Sequence, residues 1–291
     1  MASRSNAERA RRSWRALEPV HGMIYFAPEA LEQYSKLGIT HHRMGYFASR
    51  SAPMGAVPAE VVIATFFNFY PLLVHKAIPA AWDVTTPAAM IEARFAAADQ
   101  ALRRAFGDEV GSADMARLAE LARSVALVAC ETPEGRPLFA GHVTVEWPDD
   151  PHLVVWHAQT LLREFRGDGH VAVLTTAGLT AVEALVVHGA TGQVPDVMLQ
   201  GSRAWPEDLW AAGVESVSAR GWLAADGTLT QAGRAHREQV EADTDTLAAR
   251  AYARLSEDDA ETMVQLSRRF SRMVVDGGLL APDSLTAARA D

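Results

Sequence analysis

The run Arg166-Gly167-Asp168-Gly169-His170 brings a guanidinium, a carboxylate and an imidazole close together in the chain. A carboxylate that orients an imidazole makes a general acid or base, and an arginine can grip an anionic group with two parallel N–H donors. On that chemistry His170 and Asp168 are candidate catalytic residues and Arg166 is a candidate ligand anchor. The same residues also fit plain turn chemistry. In that case the glycines turn the chain between two helices, Asp168 caps the second helix, and Arg166 pairs with Glu164 or Asp168. A second candidate site lies in the first half, where Phe66, Phe67, Phe69 and Tyr70 surround Asn68. A cavity walled by aromatics with a few polar groups is the usual makeup of a small-molecule site. Tyr46, Arg50 and Tyr25 are further candidates for that pocket. His21 is a third candidate catalytic group, because His21, Tyr25 and Glu29 recur at four-residue steps and share a face if their helix is unbroken. An ordinary aromatic core, with Asn68 and His21 satisfied by backbone, accounts for the same pattern.

Other chemistries find no pattern. There is no Cys-x-x-Cys and no His-Glu-x-x-His, and the pairs His152/His157 and Glu183/His188 are five apart, which stacks no two ligands on a helix face. No Gly-x-x-x-x-Gly-Lys loop, dinucleotide fingerprint or Gly-x-Ser-x-Gly elbow occurs, so neither a metal nor a cofactor is expected. The lone cysteine, Cys130, rules out a disulfide scaffold and suits a reducing cytoplasm. The stretch from Val57 to Ile78 is the longest apolar one, but Glu60, Asn68, Pro71, His75 and Lys76 interrupt it. It is too broken for a membrane span, and the basic N-terminus is followed by no apolar segment, so the cytoplasm is the expected compartment.

The elements that must position these groups read as helices. Ser5 with Glu8 makes a capping box for a short basic helix that Pro19 stops, and Pro28 fits the first turn of the next. Val57 to Ile78 reads as buried helix punctuated at Pro71. Helices follow from about Thr85 to Phe106 and from Ser112 to Cys130. The stretch 131–151 holds Pro133, Gly135, Pro137, Gly141, Pro148 and Pro151 and reads as a linker. Beyond it, Leu153 to Phe165 is an amphipathic helix ended by Arg166-Gly167-Asp168-Gly169. Helices then start at Thr180, at Trp205-Pro206, at Thr230 and at Ser256. The segment Trp222 to Leu229 reads as a two-stranded ribbon around the turn Asp226-Gly227.

A helix, a small ribbon and a long helix, after several short helices, is the order of a winged helix-turn-helix. The string Leu229-Thr230-Gln231-Ala232-Gly233-Arg234 resembles the segment after the wing in MarR-type regulators. A wider set points the same way: Leu17-Glu18-Pro19-Val20-His21, Tyr25-Phe26-Ala27-Pro28-Glu29, Met44-Gly45-Tyr46-Phe47-Ala48, Ala52-Pro53-Met54-Gly55, Ala64-Thr65-Phe66-Phe67-Asn68-Phe69 and Leu161-Leu162-Arg163-Glu164. From about Arg12 to Pro282 the chain resembles a large actinobacterial family of helix-turn-helix proteins. The resemblance implies a tandem, mostly helical architecture and carries no catalytic residue across.

Charge bears on what such a fold would do. The whole chain is acidic at −9, and the region from Leu153 to Arg250 carries a net −5. The helix expected from Pro206 to Arg220, in the position of a recognition helix, holds Glu207, Asp208 and Glu215 against one arginine. Phosphate contacts need the opposite sign. The basic residues gather instead between Met1 and Arg50, net +4.

These readings combine into a mostly α protein of two helical domains, 1–130 with the aromatic cluster and 152–291 winged-helix-like with a small β-ribbon, joined by the linker 131–151. The leading function is small-molecule binding in an aromatic pocket with Arg and His polar groups, as in a biosynthetic enzyme that has reused a DNA-binding scaffold. The alternative is a ligand-responsive MarR-like transcriptional regulator. A small molecule is the favoured partner and DNA the less favoured, with no membrane. The helices after Thr230 are candidates for a homodimer contact.

Overall fold

The computed structural model describes residues 5–281. Arg4 of the basic arm and the Pro282 end of the resemblance lie outside the described residues. In chain order the helices are α1 (Asn6–Gly22), α2 (Pro28–Ser35), α3 (His42–Ser51), α4 (Ala59–Phe66), α5 (Pro71–His75), α6 (Ala80–Val84), α7 (Pro87–Phe106), α8 (Ala113–Cys130), α9 (Pro137–Val143), α10 (Pro151–Thr176), α11 (Ala181–Gly189), α12 (Asp196–Arg203), α13 (Glu207–Ala219), α14 (Gln231–Ala248) and α15 (Glu257–Asp276). Local chemistry sets most of their starts. Ser5 with Glu8 and Thr180 with Glu183 close capping boxes on α1 and α11, while Ser112, Thr230 and Ser256 cap α8, α14 and α15.

Two hydrophobic cores organise these helices. The larger, here called the body, is built by α1–α9, the first two thirds of α10, and the returning α15. Leu17, Phe47, Phe139, Trp156, Phe165 and Phe270 are among its fully buried side chains. The smaller gathers Val173 and Leu174 at the end of α10 with Leu185, Leu199, Trp210, Val217, Leu229 and Val240 from α11–α14. Helix α10 is therefore common to both. At 1.5 Å per residue its 26 residues span roughly 39 Å, enough to run from one core into the other. The first and last helices close the body together: Ser271 Oγ donates to the Ala16 carbonyl (2.6 Å), Arg12 pairs with Glu261 (3.0 Å) and Arg9 donates to the Leu255 carbonyl (2.8 Å).

The structure departs from the sequence expectations where tertiary packing overrides a local signal. Helix α1 continues through Pro19 to Gly22, because Leu17, Val20 and His21 are buried in the body and their packing offsets the lost backbone bond. The stretch 57–78 is two helices separated by a sharp reversal at Phe67. Residues 131–151, expected as a linker, contain α9, which buries Leu138, Phe139 and His142. Residues 248–280, expected with the C-terminal domain, bury in the body instead, with Tyr252, Met263 and Val274 inside its core. The expected ribbon is reduced to one antiparallel bridge, Leu223 with Leu229, and no strand forms among the described residues. The turn keeps hairpin bonds, from Ala224 N to the Thr228 carbonyl (2.8 Å) and from Thr230 N to the Trp222 carbonyl (2.9 Å). The fold is all-α with this one hairpin.

No single helix among the described residues is long and apolar enough to cross a membrane. The bent pair α10 and α11 passes on length and composition together, but most of α10 faces protein.

The hairpin seats on α14 through a glycine. A Cβ on Gly233 would lie 2.2 Å from the Trp222 carbonyl oxygen, and backbone cannot step aside as a flexible side chain can. Gly233→Ala is expected to lower stability by about 1–3 kcal/mol through overpacking, read as a fall of a few degrees in thermal unfolding. An unchanged midpoint would show that the hairpin does not press on α14.

Candidate functional site

A cavity of about 360 Å³ lies where the two cores meet. Its body side carries Trp14 and Glu18 of α1, Tyr46 and Arg50 of α3, Phe66 at the end of α4, and residues 67–69. Arg163 to Leu174 of α10 line it along one side. Leu185 and His188 of α11, Arg203 at the end of α12, and Arg237, Val240, Glu241 and Thr244 of α14 complete it. Most of the candidate residues from sequence line this cavity: Tyr46, Arg50, Phe66, Phe67, Asn68, Phe69, Arg166, Asp168 and His170. The two patches, distant in sequence, are thus brought to one place.

Glu164, absent from the candidates, organises the site. Its carboxylate is fully buried and takes a two-pronged bond from Arg50, at 2.8 Å to Oε1 and 2.7 Å to Oε2. Arg163 donates to the same carboxylate (3.0 Å) and to Glu18 (3.1 Å). Burial alone would raise the Glu164 carboxyl, but the Arg50 and Arg163 charges hold it well below the usual carboxylate range. Arg50 also donates to the Tyr46 hydroxyl (3.1 Å) and lies over the Phe66 ring (4.3 Å). A second network joins α10 to α14. Arg166 bonds Asp245 (2.6 Å) and Glu241 (3.3 Å) and covers Trp14 (4.6 Å), while Arg11 reaches Asp245 (2.5 Å) and Arg237 pairs with Glu241. Arg166 therefore pairs with neither Glu164 nor Asp168, and its donors are already engaged.

The Arg-Gly-Asp-Gly run does not end a helix. It sits inside α10, with Gly169 facing Leu247 of α14. Nor does Asp168 orient His170, since residues two apart on a helix point to different sides. Asp168 accepts from the Phe139 amide (2.9 Å), and burial raises it to about 6. His170 Nδ1 faces Thr244 Oγ1 (2.9 Å), and burial lowers the imidazole to about 4. His21 and Tyr25 lie outside the cavity lining. His21 is fully buried between Thr160 Oγ1 (2.9 Å) and the Tyr25 hydroxyl (3.0 Å), and burial with the Arg163 charge holds it neutral. It braces α1 against α10.

The reversal after α4 is strained. Phe67 adopts φ 58° and ψ −59°, and the Asn68 amide bonds back to the Phe66 carbonyl at 2.7 Å. That is a γ-turn with positive φ, rare for a bulky side chain. It lets Phe66 and Phe69 pack in the body while Phe67 crosses to the smaller core. The next residues bind the end of α12, through Tyr70 N to the Arg203 carbonyl (3.0 Å) and Trp205 Nε1 to the Asn68 carbonyl (3.0 Å).

Elsewhere, Asp99, Asp150 and His152 converge, but Arg103 already bonds both carboxylates, at 2.8 and 3.0 Å. His152 Nε2 also faces Asp99 Oδ1 at 2.7 Å.

In comparison with known proteins, residues 10–281 match the model of a helix-turn-helix family. No curated protein and no solved structure matches the chain.

Removing the Glu164 charge leaves two arginines facing each other about a buried, neutral side chain. Glu164→Gln is expected to destabilise by about 3–5 kcal/mol in urea unfolding, and a loss below about 1 kcal/mol would show that water already screens the pair. Acid should act through the histidines. The unfolded chain takes up protons near the ordinary histidine value of 6.5, while His170 and His157 stay neutral down to about 4. Stability therefore falls as pH drops from 6.5 toward 4. Asp168, raised to about 6, opposes this over the lower part of that range. His170→Gln should flatten the fall and Asp168→Asn should steepen it, measured by unfolding free energy against pH.

Proposed function

The chain belongs to this helix-turn-helix family, and from that premise we propose a ligand-responsive regulator. In it the smaller core presents a helix-turn-helix to DNA and the cavity receives a small molecule. The observation that carries the reading is the position of the cavity. It opens on the seam between the body and the unit built from α11–α14, so whatever fills it touches both. The order of α11, α12 and α13, then the 222–229 hairpin, then α14 supports a winged arrangement in which α12 and α13 form the helix-turn-helix pair. The likeness of Leu229 to Arg234 to the post-wing segment of MarR-type regulators supports the same arrangement. The outward face of α13 carries the small residues Ala211, Ala212, Ser218 and Ala219, with Asp208 and Glu215 among them.

One observation favours a second reading. Helix α13 exposes Glu207, Asp208 and Glu215 and contains no cation, which repels phosphate. A protein that keeps the scaffold and its cavity but leaves DNA alone, as a small-molecule-binding protein or a biosynthetic enzyme, fits that surface. Selection from a library of randomised duplexes decides between them. The regulator reading expects one enriched sequence at about 50 mM salt, lost steeply toward about 200 mM. Retention of no duplex at the lower salt overturns it in favour of the second reading.

A further inference from the structure

We propose that the seam cavity receives a small organic carboxylate with a flat, apolar body, its anion held by Arg203. The proposal rests on the reading of the cavity as a ligand site and adds the ligand's chemical class.

The cavity is lined by five arginines, and four of them are matched. Arg50 and Arg163 share Glu164 and Glu18, and Arg166 and Arg237 share Glu241 and Asp245. Arg203 has no carboxylate partner among the described residues. Its one side-chain hydrogen bond there goes to the neighbouring Ser202 hydroxyl (2.9 Å), and its Nε is buried with no acceptor. Burial lowers its pKa, as expected of a cation without a counter-charge. A half-buried guanidinium whose buried Nε lacks an acceptor is under-satisfied, and a carboxylate matches its geometry with charge-assisted bonds.

The surroundings select the rest of the ligand. The Arg203 guanidinium lies 4.8 Å from the centre of the Phe69 ring. Phe69 packs against Tyr46 at 5.5 Å between centroids, and Phe66 packs against Tyr46 at 6.0 Å. Those rings favour a planar apolar body by offset or edge-on stacking. A volume of about 360 Å³ is near the lower end for small-molecule sites and limits the body to a compact one.

Arg203 also ends α12. The Arg203 carbonyl accepts from the Tyr70 amide, the Trp205 indole just past α12 donates to the Asn68 carbonyl, and Arg43 donates to the Ser202 carbonyl (2.7 Å). An anion held by Arg203 while its body rests on Phe66 and Phe69 stabilises this docking of α12, which is how occupancy would reach the helix-turn-helix.

The test uses the full chain and a matched pair of probes, 2-naphthoate and its neutral isostere 2-naphthamide, in calorimetric titration at neutral pH. Saturable one-site binding of the carboxylate is expected, at least about tenfold tighter than the amide. Arg203→Gln should abolish that preference without altering amide binding. Arg203→Lys should restore part of it, and Lys36→Gln, away from the cavity, should change nothing. Equal binding of the two probes to the unaltered protein overturns the carboxylate assignment and leaves the cavity as a site for neutral ligands. A preference that survives Arg203→Gln overturns Arg203 as the anchor. Binding of neither probe overturns the proposal together with the ligand-sensing half of the functional reading, while the duplex selection reports DNA binding separately.

Discussion

Glu164 carries a charge with no access to water, and two arginines surround it. One, Arg50, comes from α3; the other, Arg163, precedes it on α10 and reaches on to Glu18 of α1. Three helices are thereby bound to one carboxylate. Removing such charges from water is expensive, and the arrangement holds because each oxygen is met by a donor at hydrogen-bonding distance. Once α3 and α10 are set this way, Tyr46 and Phe66 are held by Arg50, and the body wall of the cavity follows. The rigidity of that wall is a consequence of ion pairing around a buried carboxylate rather than of aromatic packing alone.

The opposite wall is held differently. Arg166, Arg11 and Arg237 share Asp245 and Glu241 between α1, α10 and α14, in a setting partly open to solvent. The two networks sit a few residues apart on α10. One belongs to the body and the other reaches the unit that carries the hairpin. Because α10 passes between them without a break, a change at either end of that stretch is transmitted through a single stiff element. The loop from Phe67 to Tyr70 provides a second connection, strained at Phe67 and bonded to the end of α12. Backbone strain of this kind persists only where surrounding packing demands it, and it concentrates at sites that do work.

What was readable in the sequence was what depends on near neighbours. The capping boxes at Ser5 and Thr180, the caps at Ser112, Thr230 and Ser256, and the turn at Asp226-Gly227 each involve residues within a few positions. Much of the site's membership was legible too, because aromatics clustered about an amide and an arginine near a histidine are unusual groupings wherever they fall. The wiring was not. Local sequence pairs Arg166 with the acids beside it, yet its partners lie some seventy-five positions away on α14. Glu164 was noticed only as a neighbour, because nothing nearby says that Arg50 will reach it. Pro19 and the Gly167 and Gly169 pair carried strong local signals for breaks, and burial of the helices around them outweighed those signals. Arg203 went unnoticed for the plainest reason: what distinguishes it is a missing partner, which only the assembled structure reveals.

The pairing of α1 with α15 bears on the order in which the molecule can be made. The smaller core draws almost wholly on residues 173–240, a continuous stretch whose interactions are short in sequence. The body needs residues 6–22 and 257–276 side by side, the two ends of the described chain. A ribosome delivers the second of these last. The hairpin-bearing unit can therefore fold while synthesis continues, whereas the body must wait with one side of α1 uncovered until α15 emerges. During that interval the side of α1 that α15 covers is open to solvent or to a chaperone, making it the vulnerable surface of the nascent protein.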